Sequence, residues 1–422
     1  MLHETQQKYR IKRFYKETQF QKTPVGKIPR EWRLIKIREL ATFLKRGKTP
    51  EYGDSNVIVI KTAHVYPGRI KFEEAPRASP SFIKKLPSQY FLKPGDILIN
   101  STGTGSVGRV GFFNGYPETC TVDSHVTILR VNTNIALSKF VFYYLSSPIG
   151  FKALVSKAVG STNQIELYTD AIGDTLIPLP PLEEQWGIAE VLSSVDNAIE
   201  AVERLIEKLE RIKQGLMQEL LTKGIGHREF KETPIGKTPK GWQVVKLSDI
   251  STIIMGQSPP SSTYNDDGVG LPFLQGKAEF GRIYPTPLKY TSKPLKIIEK
   301  GDLLISVRAP VGDVNIVPFK LCIGRGLAGI HFDPNKADTF FYFYYFQSAK
   351  PRLETLGKGS TFKAITRKEL ESLLVPLPPL EEQRRIASIL KSIDDWIEVE
   401  EQRKEKLERL KRGLMDLLLT GR

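Results

Sequence analysis

Three stretches of this chain carry spacings that elsewhere do chemistry. Gly103, Gly105 and Gly108 follow the apolar run DILIN (96–100) as Gly-x-Gly-x-x-Gly, the fingerprint that cradles a dinucleotide pyrophosphate at a helix N-terminus. The residues beyond it, VGFFNG, have no helical period, and the corresponding place later in the chain reads VRAPVGD, so the phosphate would lack its helix. Gly236-Lys237-Thr238 ends like a phosphate loop, but Lys231 stands where the upstream glycine belongs and Pro239 follows at once. Ser258-Pro259-Pro260 resembles the catalytic tetrapeptide of amino-methyltransferases, yet Ser261 replaces the closing aromatic, and a turn is expected instead. Cys120 and Cys322 are too few and too distant for a disulfide framework or zinc cluster, and five scattered histidines lack ligand spacing. With no paired carboxylates or nucleophile elbow, the sequence predicts no catalytic residue, no metal and no cofactor, and both thiols buried and reduced.

What remains are polar and basic loops. One group comprises Lys45, Arg46, Lys48, Lys61, His64, Arg69 and Lys71, then Ser101, Thr102, Thr104 and Arg109, then Ser161, Asn163 and Gln164. A second comprises Gln257, Gln275, Lys277, Arg282, Arg308, Arg325, Thr361 and Lys363. Arginine and lysine can reach guanine, asparagine and glutamine can reach adenine, and hydroxyls can contact phosphates or base edges. Any one of these side chains is ordinarily just solvated; the sets carry the expectation of DNA contact.

The charge distribution points the same way. The 422 residues carry a net +15, which divides as +12 over residues 1–180, −5 over 181–222, +8 over 223–378 and zero over 379–422. Two separate basic blocks favour a polyanion, and duplex DNA presents one negative charge per roughly 1.7 Å of axis. A hydrophobic content of 40% suffices for more than one core. The first twenty residues lack the apolar stretch and cleavage site of a secretory signal, and no apolar run reaches bilayer length, so a cytoplasmic protein without membrane contact is expected.

The loops belong to a tandem repeat. FQKTPVGKIPREWRLIK (20–36) returns as FKETPIGKTPKGWQVVK (230–246), PLPPLEEQ (178–185) returns at 376–383, and LERIKQGLM (209–217) returns as LERLKRGLM (407–415). Between these anchors PGDILIN (94–100) matches KGDLLIS (300–306), Cys120 matches Cys322, and GST occurs at 160–162 and 359–361. Short β-branched runs such as NVIVIKT (56–62), DILIN (96–100) and HVTILRV (125–131) predict strands in each globular part, with one helix around Phe140–Ala158 and its counterpart around Thr339–Leu356. The fold class is therefore α+β, and a parallel doubly wound sheet is disfavoured.

After each PLPP a long helix is expected, with Glu183 and Glu184 favourably placed in the first turn. Its apolar residues recur as a heptad seam: Ile188, Val195, Val202, Leu209 and Leu216, with Val191, Ala198, Leu205 and Ile212 three residues on. The second copy keeps Ile386, Ile393, Leu407 and Leu414 with Ile389, Trp396, Leu410 and Leu417, but places Glu400 and Arg403 mid-seam. Two helices of the same register predict an antiparallel coiled coil, each helix spanning roughly 58 Å at 1.5 Å per residue. The expected segments are 1–180 and 223–378 for the globular units, and 181–222 and 379–422 for the helices.

In order and duplication, the TPxGxxPxxW opening, the GDxLxS-like strand, the GSTxQ-like loop at Gly160–Gln164, the PLPPLEEQ linker and the long helix resemble the specificity subunits of type I restriction-modification enzymes. The resemblance covers nearly the whole chain. It implies two target recognition domains reading a bipartite, gapped site in double-stranded DNA. It also implies docking of two modification subunits, which hold S-adenosylmethionine, and of restriction subunits, with no catalysis by this chain. Phe362-Lys363 departs from Asn163-Gln164, which sets the second GST loop apart from the first. A stand-alone DNA-modifying enzyme and a coiled-coil scaffold are the alternatives; the missing cofactor loop speaks against the first and the two basic blocks against the second.

Overall fold

The computed structural model describes residues 19–160, 165–356 and 364–421. It divides into two compact units, Met1–Ala201 with Arg403–Arg422, and Val202–Gln402. Each unit thus holds one globular repeat together with part of both long helices, Leu182–Lys223 and Leu380–Leu418. Mixed helix and strand content agrees with the α+β expectation.

In the first unit the TPxG opening is a β-hairpin, Phe20–Thr23 against Gly26–Pro29. Thr23 Oγ1 donates to the Gly26 carbonyl at 2.7 Å, and Gly26 takes a φ of +112°, so the motif specifies the turn chemically. The next strand, Arg33–Lys36, pairs with Leu176–Leu179, which brings PLPP and the helix start back to Trp32. Buried Trp32 donates its Nε1–H to Glu184 at 3.1 Å, while Gln185 donates to the Pro180 carbonyl and accepts from the Leu137 amide, both at 2.8 Å. The body is an antiparallel sheet in the order Ala41–Arg46, Val126–Val131, Ile97–Asn100, Val110–Phe112, flanked by the parallel pair Val57–Ile60 and Thr119–Val122. The helix expected over Phe140–Ala158 is two helices, Ser138–Ser146 and Pro148–Val155. Pro148 cannot donate a helical hydrogen bond, and Ser147 caps the second helix by accepting from the Gly150 amide.

The second unit repeats these devices. Its hairpin is Phe230–Thr233 against Gly236–Pro239, closed by Thr233 Oγ1 on the Gly236 carbonyl at 2.6 Å. Fully buried Trp242 donates to Glu382 at 3.0 Å, and Gln383 bonds the Pro378 carbonyl and the Asp338 amide. Its sheet runs Ser251–Met255, Leu327–Phe332, Leu303–Ser306, Val314–Ile316, and here the helix Thr339–Leu356 is continuous. Cys120 and Cys322 are both buried free thiols.

The long helices differ from the expected seam. Ile188, Val202, Leu209 and Ile386 are buried, and Val191, Val195, Leu205, Leu216, Ile389, Ile393, Leu407 and Leu414 are half-buried. Ile212, Trp396, Leu410 and Leu417 are exposed, as is Arg403, whereas Glu400 is buried. The inward row steps by four and three, through Leu192, Lys213, Leu390 and Ile397, because the globular unit packs on that side and shares the burial. Tyr143 donates to Asp196 and Tyr344 to Asp394, each at 2.8 Å, from the aromatic helix of its own unit. Asp196 is paired to Lys411 at 2.6 Å within the first unit, and Asp394 to Lys213 at 2.7 Å within the second.

These two ion pairs differ in burial. The Lys213 and Asp394 side chains are 7% and 0% exposed, against 24% and 26% for Lys411 and Asp196. Lys213→Met should therefore destabilise the second unit by about 3–5 kcal/mol, since it strands a buried carboxylate. Lys411→Met should cost about 1 kcal/mol or less. Urea unfolding of the two full-length variants checks this; equal midpoint shifts would refute the assignment.

Candidate nucleic-acid interface

In the first unit the basic loops converge on one rim of the sheet. Strands Ala41–Arg46 and Ile97–Asn100 end where Val126–Val131 begins, with Arg46 opposite Thr127 and Asn100 opposite Val126. The end of Val57–Ile60 is tied to the same rim, since Asn100 Nδ2 donates to the Thr62 carbonyl and the Asp123 amide to the Ile60 carbonyl. A glycine is required at 47: a Cβ there would lie 2.3 Å from the carbonyl oxygens of Val122 and Asp123. That close approach, with the Gly47 amide donating to the Val126 carbonyl at 3.0 Å, brings the segment between Lys45 and Lys48 beside the His125 turn. Gly103, Gly105 and Gly108 all take positive φ in a turn that leads into the strand Val110–Phe112, so the dinucleotide spacing serves a tight loop.

The side chains on this rim fall into two groups. Lys45, Lys48, Arg69, Lys71 and Thr104 are exposed, and Lys61 and Arg109 are half-buried. Among the described residues, no carboxylate lies at ion-pair distance from Lys45, Lys48, Lys61, Lys71 or Arg109. Lys48 lies over the Tyr90 ring, Lys61 over Tyr52 and Lys71 over Tyr66, at 5.4, 5.5 and 4.6 Å, which orients the ammonium groups without neutralising them.

Other sequence candidates are committed internally. Ser101 is fully buried and shares a 2.6 Å hydrogen bond with Thr127, because it sits on the sheet's inner continuation. Arg46 pairs with Glu166, donates to the Leu167 carbonyl at 3.0 Å and stacks on Tyr168, binding the following segment to the sheet. His64 accepts the Lys61 amide at 3.0 Å; burial, then the charge of Lys61, holds its imidazole below the usual range. Thr102 bonds His125 at 2.9 Å, and exposed His125 is a rim residue that the sequence does not single out, because HVTILRV (125–131) reads as a strand from its first residue. Ser161, Asn163, Gln164, Thr361 and Lys363 lie outside the described residues.

The second unit builds the same rim from different side chains. Gln257, Gln275, Arg308 and Arg325 are exposed there, gathered by bonds from the Gln257 amide to Ile323, Gly324 to Leu274 and Val307 to Gly326. Gly256 plays the part of Gly47: its Cβ would meet the Gly324 carbonyl at 2.1 Å. The Arg325 amide donates to Ser258 Oγ, so the Ser-Pro-Pro-Ser stretch props up that turn. Lys277 is bonded to Asp313, and Arg282 reaches the long helices, at 2.8 Å from Glu210 and 2.6 Å from Glu401. Arg282 thus anchors its loop to the helices instead of facing the rim. Among the described residues no group of three or more His, Cys, Asp or Glu could hold a metal, and no helix is long and apolar enough to cross a membrane.

Known proteins are similar to this chain in sequence and architecture. A family model for the type I restriction modification DNA specificity domain matches residues 29–211 and again 239–409. The MjaX specificity subunit of a type I restriction enzyme of Methanocaldococcus jannaschii, a putative one, is 44% identical over 431 residues, covering 97% of each chain. The MjaVIII specificity subunit of the same organism is 30% identical over 433 residues, covering 98% of this chain and 97% of its own. A solved chain from work on complex assembly and conformational transition of the type I R-M system aligns with a TM-score of 0.58 at 30% identity. It covers 93% of this chain and 99% of its own.

The division between uncompensated and internally bonded cations is testable. Lys45→Gln with Lys48→Gln should weaken duplex binding and flatten the dependence of log affinity on log salt by about 0.9 for each phosphate no longer neutralised, with an unchanged unfolding midpoint. Arg46→Gln should lower the unfolding midpoint. Fluorescence anisotropy across a salt series, with thermal unfolding alongside, separates the two; a stability loss in the lysine variant would contradict the rim assignment.

Proposed function

The chain belongs to the family of type I restriction-modification specificity subunits, and on that premise we propose that each of its two globular units reads one half of a bipartite, gapped duplex site. The observation that carries this reading is the duplicated rim. Two copies of one strand framework, each shaped by a glycine against a carbonyl, present Lys45, Lys48, Lys61, Lys71 and Arg109 in one unit and Gln257, Gln275, Arg308 and Arg325 in the other. Cations without carboxylate partners suit phosphates, and the exposed glutamines and arginines suit base edges. The target recognition domains are 1–180 and 223–378, with helical segments at 181–222 and 379–422.

The long helices pair antiparallel in this reading. Its support is reciprocity: an Asp from the first helix and a Lys from the second meet in one unit, while a Lys from the first and an Asp from the second meet in the other. Within each unit one long helix supplies the carboxylate and the other the ammonium, with the roles of the two helices exchanged between the units. The chain itself is non-catalytic and uses no cofactor; modification subunits supply S-adenosylmethionine and methyl transfer, restriction subunits supply cleavage, and the complex works in the cytoplasm.

The apolar residues left outside the seam have a use here. Exposed Leu410 and Leu417 on one long helix in the first unit, and exposed Ile212 and Trp396 on the two long helices in the second, offer apolar surface in each unit, one for each of two modification subunits.

Co-expression with the modification subunits, followed by methylome sequencing, tests the reading: one asymmetric gapped motif is expected, and an ungapped motif or methylation by the pure chain would overturn it. Trp396→Glu combined with Leu410→Glu should reduce co-purification of the modification subunit at least tenfold, and either alone by about half, while leaving the salt dependence of DNA binding by the chain unchanged. Undiminished co-purification of the double variant would move the docking face elsewhere.

A further inference from the structure

Position 109 in the first unit and position 313 in the second are structural equivalents of opposite charge. Each follows a glycine of positive φ, Gly108 at +78° and Gly312 at +88°. Each precedes the edge strand of the sheet, Val110–Phe112 or Val314–Ile316. The backbone bonds coincide: the Gly108 amide donates to Asn100 and the Asn100 amide to the Arg109 carbonyl, at 2.8 and 2.9 Å. In the second unit the Gly312 amide donates to Ser306 and the Ser306 amide to the Asp313 carbonyl, at 2.9 and 2.8 Å. One place in the framework therefore holds a guanidinium in one unit and a carboxylate in the other.

Their surroundings differ accordingly. Arg109 has no carboxylate partner among the described residues. Asp313 is bonded by Lys277 and, at 2.6 Å, by Lys350, at the edge of an open cavity of about 370 Å³ that Gln347 also lines. Burial acts against the Asp313 charge, but the hydrogen bonds from the two lysines hold its carboxyl below the usual range. Both lysine side chains keep about a third of their exposure, 35% for Lys277 and 34% for Lys350, so an anion from solvent can reach them.

We propose that Asp313 restrains phosphate contact by the second unit, engaging Lys277 and Lys350 internally, while Arg109 at the equivalent place in the first unit is free to bind a phosphate. The two half-sites are then gripped unequally, the first more electrostatically than the second. This rests on the DNA-reading function proposed above. It adds a specific consequence: removing a carboxylate from the second unit increases the number of phosphates bound.

The test uses the full-length chain and a mixed-sequence duplex of about 30 base pairs, titrated by anisotropy between about 50 and 200 mM salt. Asp313→Asn should steepen the slope of log affinity against log salt by about 0.9 for each lysine released, about 1.8 in all, or about twelvefold more affinity lost across this range. Adding Lys277→Gln and Lys350→Gln should return the slope to that of the parent. Arg109→Gln should flatten it by about 0.9, and Arg109→Asp at least as much, which keeps the idea testable should Asp313→Asn fold poorly. A parent chain with a steep slope and an Asp313→Asn variant indistinguishable from it would overturn the restraint alone. A flat parent response would remove the DNA-reading premise itself.

Discussion

A carboxylate taken out of water must be met by donors, and the architecture of each unit follows from how one such carboxylate is met. Asp394 is fully buried and accepts from Tyr344 of the aromatic helix while pairing with Lys213 of the first long helix. Asp196 does the same with Tyr143 and Lys411. Each carboxylate thus joins three elements: the helix that carries it, the globular part beside it and the other long helix. Packing alone would allow the helices to slide by a turn. A slide of that size would leave Asp394 facing apolar neighbours, and stranding that buried charge costs several kcal/mol, whereas the cost at the quarter-exposed Asp196 is smaller.

The same constraint governs the rims. Each unit carries many cations, and the structure separates them by whether a carboxylate is at hand. Arg46, Lys277 and Arg282 are drawn inward by Glu166, Asp313 and the acidic residues of the long helices. Lys48, Lys61 and Lys71 rest on tyrosine rings, which fix direction and leave the charge for an external partner. The exposed positive charge of a rim is set by where neutralising carboxylates are withheld, more than by where basic residues are added.

Much of this was legible in the chain itself. The repeat, the α+β class, the continuous long helices and the gathering of basic loops follow from anchors such as TPxG, Trp and LEEQ, each of which makes an equivalent bond twice. Heptad reading failed where burial is shared with a third body. Trp396, Leu410 and Leu417 sit three residues after seam positions, yet the globular unit covers the residues four after, Leu390 and Ile397 among them. The split at Ser147–Pro148 is readable in the proline alone, but its counterpart helix tolerates Pro351, so the repeat argues for a continuous helix where there are two. Whether a given cation is free or paired was not legible, since Glu166 lies 120 residues from Arg46 and Asp313 lies 36 from Lys277.

The exposed row on the long helices then follows from the inward one. A helix that packs a globular unit on one side of its seam and a partner helix along the seam has one flank left. Polar residues would suffice to solvate that flank, as exposed Arg403 does one heptad beyond Trp396. Instead it carries Trp396 in the second unit and Leu410 and Leu417 in the first, each about half exposed. Large apolar side chains left uncovered on an otherwise charged helix favour aggregation unless a further helix surface covers them. That row is the face proposed above for the modification subunits, and the seam's offset by one residue is what leaves it exposed.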